Sequence, residues 1–171
     1  MEVIKYQGKY ITATEEVIDG HTYERVRLRE GVHLIPYREE DNKILLMKEY
    51  RVHEGGARWK FVSGWIDKEG KDALQHAKEE LAEELGLEAE YWKEIFSEKN
   101  RQATCSTGIH VFLCEHIHPL EQKPDNPDTG EVLDSKWFSL DELIQLIEEG
   151  NIKNPAPFLA ALVFLLKKQE R

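Results

Sequence analysis

The stretch Ala77-Lys-Glu-Glu-Leu-Ala-Glu-Glu-Leu-Gly-Leu87 places four glutamates, Glu79, Glu80, Glu83 and Glu84, within six positions of a single helical pattern. Leu74, Ala77, Leu81 and Leu85 recur every three or four residues, the spacing of a helix with one buried stripe. Gly86 is the expected stop after that helix. At about 100° per residue, with Glu80 at zero, the apolar stripe centres at about 100°, Glu84 at about 40° and Glu83 at about −60°. Three carboxylates therefore share a face that adjoins the core. Two such groups roughly 4 Å apart repel by about 4 kcal/mol at an effective dielectric of about 20, so the cluster calls for a cation or a raised pKa. A solvated acidic face is the alternative reading.

Upstream, Phe61-Val-Ser-Gly64-Trp-Ile-Asp-Lys-Glu-Gly70 puts a glycine-containing strand end and loop just before the helix. Such a segment lets backbone carbonyls approach a bound ion. Carboxylates and carbonyls without thiolates are hard oxygen ligands and favour magnesium or manganese.

Around this centre the chain reads as strands at 3–7, 9–18 and 23–28, with Gly8 and the hairpin signal Asp19-Gly20 between them. Segments 32–36 and 43–50 read as core strands, and 72–85 as the acidic helix. Strands are expected again at 90–97, 109–116 and 131–138, with a long Pro- and Asp-rich loop over 119–130. Ser139-Leu-Asp-Glu142 is a capping box for a helix to 149, and an apolar helix covers 157–168. Strands, a helix, strands and two helices predict an α+β fold, a mixed αβα sandwich, because the elements do not alternate as a doubly wound sheet requires. Residues 1–29 are expected to form an antiparallel β element and 30–171 the main domain.

The composition sets further bounds. At 171 residues and 40% apolar content the chain can bury a real core. The apolar segment Phe158 to Leu166 is far short of the roughly 20 residues of a membrane span, and no basic-then-apolar leader opens the chain; no membrane partner and a cytoplasmic location are expected. A net charge of −10 argues against nucleic-acid binding. A polyanionic substrate would instead need a divalent cation as a bridge. Cys105 and Cys114, the two cysteines, fit neither a zinc ribbon nor a disulfide framework and read as reduced.

Glu80-Leu-Ala-Glu-Glu-Leu-Gly-Leu87 resembles the second half of the Nudix box: Gly, five residues, Glu, seven residues, then Arg-Glu-aliphatic-x-Glu-Glu-x-Gly-aliphatic. Glu49-Tyr-Arg51, Ser63-Gly-Trp-Ile-Asp67, Ile109-His-Val-Phe-Leu113 and Glu148-Glu-Gly-Asn-Ile-Lys-Asn154 are similar to segments of the ADP-ribose pyrophosphatase subfamily. The resemblance covers about residues 30–168 and implies the Nudix fold. It implies an Mg-dependent (or Mn-dependent) pyrophosphatase cleaving a nucleoside diphosphate derivative, ADP-ribose or a nucleotide sugar, and a homodimer formed by the N-terminal strands.

By resemblance, Glu80, Glu83 and Glu84 with the Ser63 carbonyl would hold the metal. Glu131 would be the general base, making Glu83, Glu84 and Glu131 the catalytic set. Arg51 would face the phosphates, which a guanidinium binds bidentately. Trp59, Trp65 and Tyr50 would either stack on a nucleobase or pack into the β-rich core. His76 reads as a solvated neighbour of the glutamates or a supporting partner, and His116 with His118 as weak metal candidates. The box arginine is Glu79 here, the earlier box glutamate is Lys71, and Lys68 adds one residue to the loop after Gly64. The inverted pair could form an exchanged ion pair, or Lys78 or Arg51 could supply the missing positive charge. An acidic residue common near Thr107 in the subfamily is absent. A Nudix-fold protein that binds without turnover is the second reading, and an isomerase on the same fold the third.

Overall fold

The computed structural model describes residues 2–51, 55–101, 104–124, 132–152 and 155–169. Ten strands form one mixed sheet: β1 (Glu2–Gln7), β2 (Ile11–Ile18), β3 (His21–Leu28), β4 (Gly31–Arg38), β5 (Lys43–Arg51), β6 (Gly56–Lys60), β7 (Ser63–Trp65), β8 (Leu87–Arg101), β9 (Cys105–Pro119) and β10 (Val132–Phe138). Helix α1 (Ala73–Leu85) precedes β8, and α2 (Leu140–Glu148) and α3 (Pro155–Gln169) follow β10. The strand order is β1-β2-β3-β9-β4-β5-β10, with β6 on β5, β7 on β4 and β8 on β9. Strand β9 runs parallel to both β3 and β4, whereas β4 and β5 are antiparallel.

Alternation along the central strands feeds two cores on opposite faces. Val32 and Leu34 of β4, Met47 of β5, and Phe112 and Cys114 of β9 pack with Ala77 and Leu81 of α1. Ile35, Tyr37, Ile44, Leu46, Val111 and Leu113 pack with Leu140 and Leu143 of α2 and Ala161 and Leu165 of α3. This is the expected αβα sandwich. Burying apolar area at roughly 25 cal/mol per Å² on both faces makes the central strands the interior layer.

Local sequence signals act where they were read. Asp19 and Gly20 both have positive φ, 52° and 81°, and join Ile18 to its partner His21 in a two-residue hairpin. Ser139 and Glu142 close a capping box at α2. Asp72 and Gln75 close another at α1, and Gly86 takes the left-handed conformation at its end. Lys123 donates to the Glu84 carbonyl at 2.9 Å, supplying from a distant loop the positive charge that the last turn of α1 lacks.

Two differences from the sequence reading matter for the site. The glycine-containing strand end is β7, with the loop to Asp72 after it as expected, but β6 (Gly56–Lys60), a further short strand before it, is not signalled by the sequence. With 5 residues it is too short for a period to show. The strands around residues 90–97 and 109–116 extend into a long hairpin, paired from Leu87↔Pro119 to Arg101↔Ser106. The N-terminal strands continue the main sheet through Val26↔Cys105 and Arg27↔Ser106. They carry exposed Val3, Ile4, Tyr6, Ile11 and Val17, with Tyr10 exposed in the turn between β1 and β2.

Candidate active site

Helix α1 lies over β4 and β7, seated by Ala77 and Leu81, both fully buried. Strand β7 pairs with β4 through Trp65↔Gly31, Gly64↔Val32 and Ser63↔His33, which holds the Ser63-Gly64 peptide under the helix. The approach is close: a β-carbon on Gly64 would lie 1.9 Å from Glu80 Oε1 and 2.0 Å from its Cδ. Only a residue without a side chain permits the Glu80 carboxylate to rest there.

Burial, then the nearby charges of Glu84 and Glu83, push the Glu80 carboxyl up to about 7. The wheel geometry read from the sequence is therefore realised as an electrostatic conflict: three carboxylates on one face, one of them pressed onto backbone. The groups that act on Glu80 include the Glu84 and Glu83 carboxylates, and its own carboxylate lies against Gly64, the residue after Ser63. That set fits a hard divalent cation such as magnesium or manganese, which would relieve the repulsion. Among the described residues no three Asp, Glu, His or Cys side chains already converge as a finished ion cage.

Glu83 is engaged elsewhere in part. Lys68 Nζ donates to Glu83 Oε1 at 3.0 Å and to Glu79 Oε2 at 2.9 Å, and Glu79 also accepts from Lys71. These lysines hold the Glu79 carboxyl below its ordinary range, Lys71 first and Lys68 second. Of the sources of positive charge considered from the sequence, Lys71 does pair with Glu79. Lys68, noted only as an added loop residue, also does so. Lys71 precedes the N-cap Asp72 and so stands on the loop rather than on the helix, where its side chain can reach Glu79.

His76 is buried, 2% exposed, not solvated as expected. Its Nε2 faces the Lys68 carbonyl at 3.4 Å. Nothing in the local pattern shows this, since the contact depends on the loop folding back over α1. Lys60, unassigned in the sequence, forms a buried ion pair with Glu49 at 2.9 Å. Its charge acts on both Glu80 and His33.

Trp65 is 41% exposed and lies against Tyr10, ring centroids 5.8 Å apart. Of the two readings of Trp59, the structure favours packing: it is partly buried and lies edge-on against Phe138 at 4.8 Å, against the core on the sheet face opposite α1. Tyr50 is exposed on β5. His118 faces Glu88 at 3.2 Å and the His116 carbonyl at 3.1 Å, His116 is exposed, and among the described residues no third metal-ligating side chain joins them. Both cysteines are free, and burial pushes the Cys114 thiol up. Arg51 ends β5 opposite Gly56, but its side chain, like the whole of Glu131, lies outside the described residues.

A family model, the NUDIX domain, matches residues 27–162. The chain belongs to the Nudix family. It is 24% identical over 117 residues to Nudix hydrolase 6 of Arabidopsis thaliana, covering 68% of this chain and 41% of that protein. It is 21% identical over 116 residues to an ADP-ribose pyrophosphatase of Mycobacterium tuberculosis, covering 68% of this chain and 56% of the relative. A similar match, 24% over 129 residues, joins it to an ADP-ribose pyrophosphatase of Bacillus subtilis, covering 75% and 69%. The matched part thus spans about half the length of the first two relatives. Among solved structures, one described as an ADP compounds hydrolase superposes with a TM-score of 0.74 at 20% identity, covering 99% of this Nudix chain and 91% of the other.

Two outcomes follow from this geometry. Gly64→Ala should leave the fold intact, because the displaced atoms belong to one side chain and not to backbone, yet if the site takes a divalent cation it should weaken that binding by about tenfold or more, as losses around a metal ligand do; calorimetric titration with Mg²⁺ and with Mn²⁺ measures this. The pH dependence of metal-free stability should have two opposing parts. Glu80, raised to about 7, contributes stability below its ordinary pKa of about 4.3 that is lost as pH rises through 7. His33, which burial and then Lys60 lower to about 4, contributes stability above about 6.5 that is lost as pH falls to 4. Removing Glu80 with Glu80→Gln should give a Tm that climbs more steeply from pH 4.5 to 7 than in the wild type. His33→Gln should tilt the same curve the other way.

Proposed function

We propose that this Nudix protein hydrolyses the diphosphate of a nucleoside diphosphate derivative, ADP-ribose or a nucleotide sugar, to a nucleoside monophosphate and a sugar phosphate. The observation that carries this reading is the Glu80 carboxylate seated on the Gly64 backbone beside Glu83 and Glu84. Glu80, Glu84 and the Ser63 carbonyl would hold a divalent cation, with Glu83 at the edge of that set. When bound, such an ion neutralises charge on the diphosphate oxygens and lowers the pKa of an attacking water. Glu131 takes the proton from that water as general base, and Arg51 orients the phosphates. Trp65 with Tyr10 offers an exposed aromatic surface for a base. The names carried by the relatives, two ADP-ribose pyrophosphatases among them, support the substrate class.

A second reading, binding without turnover, is favoured by one feature: a glutamate, Glu79, stands where the family pattern has arginine. A panel of nucleoside diphosphate derivatives incubated with and without Mg²⁺ separates the two. Metal-dependent release of AMP or another monophosphate is expected, and Glu84→Gln should lower kcat by about a hundredfold or more, beyond the usual effect of an outer-shell partner. Stabilisation of the protein by ADP-ribose with no product by chromatography would establish the second reading instead.

Residues 1–29 form the dimerising element in this proposal, and 30–171 the hydrolase domain. Val3, Ile4, Tyr6, Val17 and Tyr23 are each more than 40% exposed on the N-terminal strands, and a concentration of apolar surface of this kind marks a contact site. A second copy of the chain covers it. Light scattering at micromolar concentration should return twice the chain mass of 20.0 kDa, whereas a monomeric mass would remove the dimer from the proposal.

A further inference from the structure

The segment between β7 and α1 carries two lysines that converge on the first glutamate of the acidic cluster. Lys68 Nζ lies 2.9 Å from Glu79 Oε2 and 3.0 Å from Glu83 Oε1, and Lys71 Nζ takes the other oxygen of Glu79. Both oxygens of Glu79 are thus occupied, which fixes the carboxylate plane. The Lys68 backbone is held as well. Its carbonyl faces Nε2 of the buried His76, and the Asp72–Gln75 capping box fixes where the loop becomes helix.

Glu79 and Glu83 are four residues apart on one helix, neighbours whose like charges destabilise. An arginine at 79 would reach Glu83 directly. A glutamate there cannot, and the pair requires a cation between them. An ammonium with three donors can serve two carboxylates at once. The pairs are about 30–40% exposed, and exposed pairs contribute about 0–1 kcal/mol each, so the network is poorly explained as a stability device. Its specific consequence is the direction of Glu83.

We propose that Lys68 is the positioning residue of this site: it orients Glu83 from the loop, and Glu79 serves as the anchor that holds Lys68. The charge inversion at 79 is thereby part of a rearranged ion network, with Lys68 performing from outside the helix the service an arginine would perform within it. This rests on the reading that Glu83 belongs to the hydrolytic site.

The test is a reciprocal cycle of Lys68→Met, Glu79→Arg and the double variant, with Lys68→Arg as the conservative control. It is read by kcat and KM with Mg²⁺ and by Tm without metal. Lys68→Met should lower kcat by about tenfold or more, the range for partners that orient a ligand, with KM changed less than kcat. Glu79→Arg alone should do likewise, because it sets a third cation against Lys68 and Lys71. The double variant should recover most of both kcat and Tm, since the guanidinium then meets Glu83 along the helix, and Lys68→Arg should stay within about threefold of wild type in kcat. Additive losses in the double variant would overturn the bridge. An unchanged kcat in Lys68→Met alongside a lowered Tm would make Lys68 merely structural. If the wild type turns over no nucleoside diphosphate derivative, the hydrolase reading fails on its own, and the metal-free Tm cycle still decides whether Lys68 bridges Glu79 and Glu83.

Discussion

Everything at this site follows from how closely α1 approaches β7. Ala77 and Leu81 anchor the helix on β4, and Gly64 offers no side chain to keep it away, so the Glu80 carboxylate comes to rest on the Ser63-Gly64 segment. A larger residue at 64 would displace the carboxylate from the strand it rests on. The same closeness costs solvation, and with Glu84 and Glu83 alongside it drives the Glu80 carboxyl up to about 7. A crowded, partly dry set of oxygens is unfavourable alone and favourable around a divalent cation. The packing constraint and the proposed chemistry are one arrangement.

The charges around that centre are organised in two tiers. Glu80 faces the strand, while Glu79 faces the loop, where Lys68 and Lys71 meet it. Glu83 lies between them and accepts from Lys68. Reversing the sign at one helical position has therefore not left a hole in the network. The loop residue that precedes the helix by one turn of chain carries the compensating charge, and the buried His76 and the Asp72 cap keep that loop in register with α1. Lys60, paired with the buried Glu49, is near enough for its charge to act on Glu80, although burial and the neighbouring glutamates outweigh it.

Much of this was legible before any coordinates. The period of Leu74, Ala77, Leu81 and Leu85 specifies the buried stripe of α1, and once the stripe is known the bearing of Glu80, Glu83 and Glu84 follows from helix geometry. The turn at Asp19-Gly20, the cap at Ser139 and the stop at Gly86 are local backbone preferences, and each forms where it was expected. The order of elements led to the sandwich. These features share a property: their physics acts within a few residues, where sequence neighbours are also neighbours in space.

The features that could not be read are contacts between segments. The short strand β6 exists because β5 supplies its hydrogen-bond partners, not because of its own period. Trp59 packs against the core because Phe138, nearly eighty positions later, stands beside it. His76 is buried because a loop covers it, and Lys68 becomes a bridging cation only when that loop returns to the second turn of α1. One-dimensional spacing determined which residue types stand on the helix and on which side. Which cation meets which carboxylate was decided by the tertiary fold, because an ion pair depends on a distance of a few ångströms between atoms that the chain alone leaves unspecified.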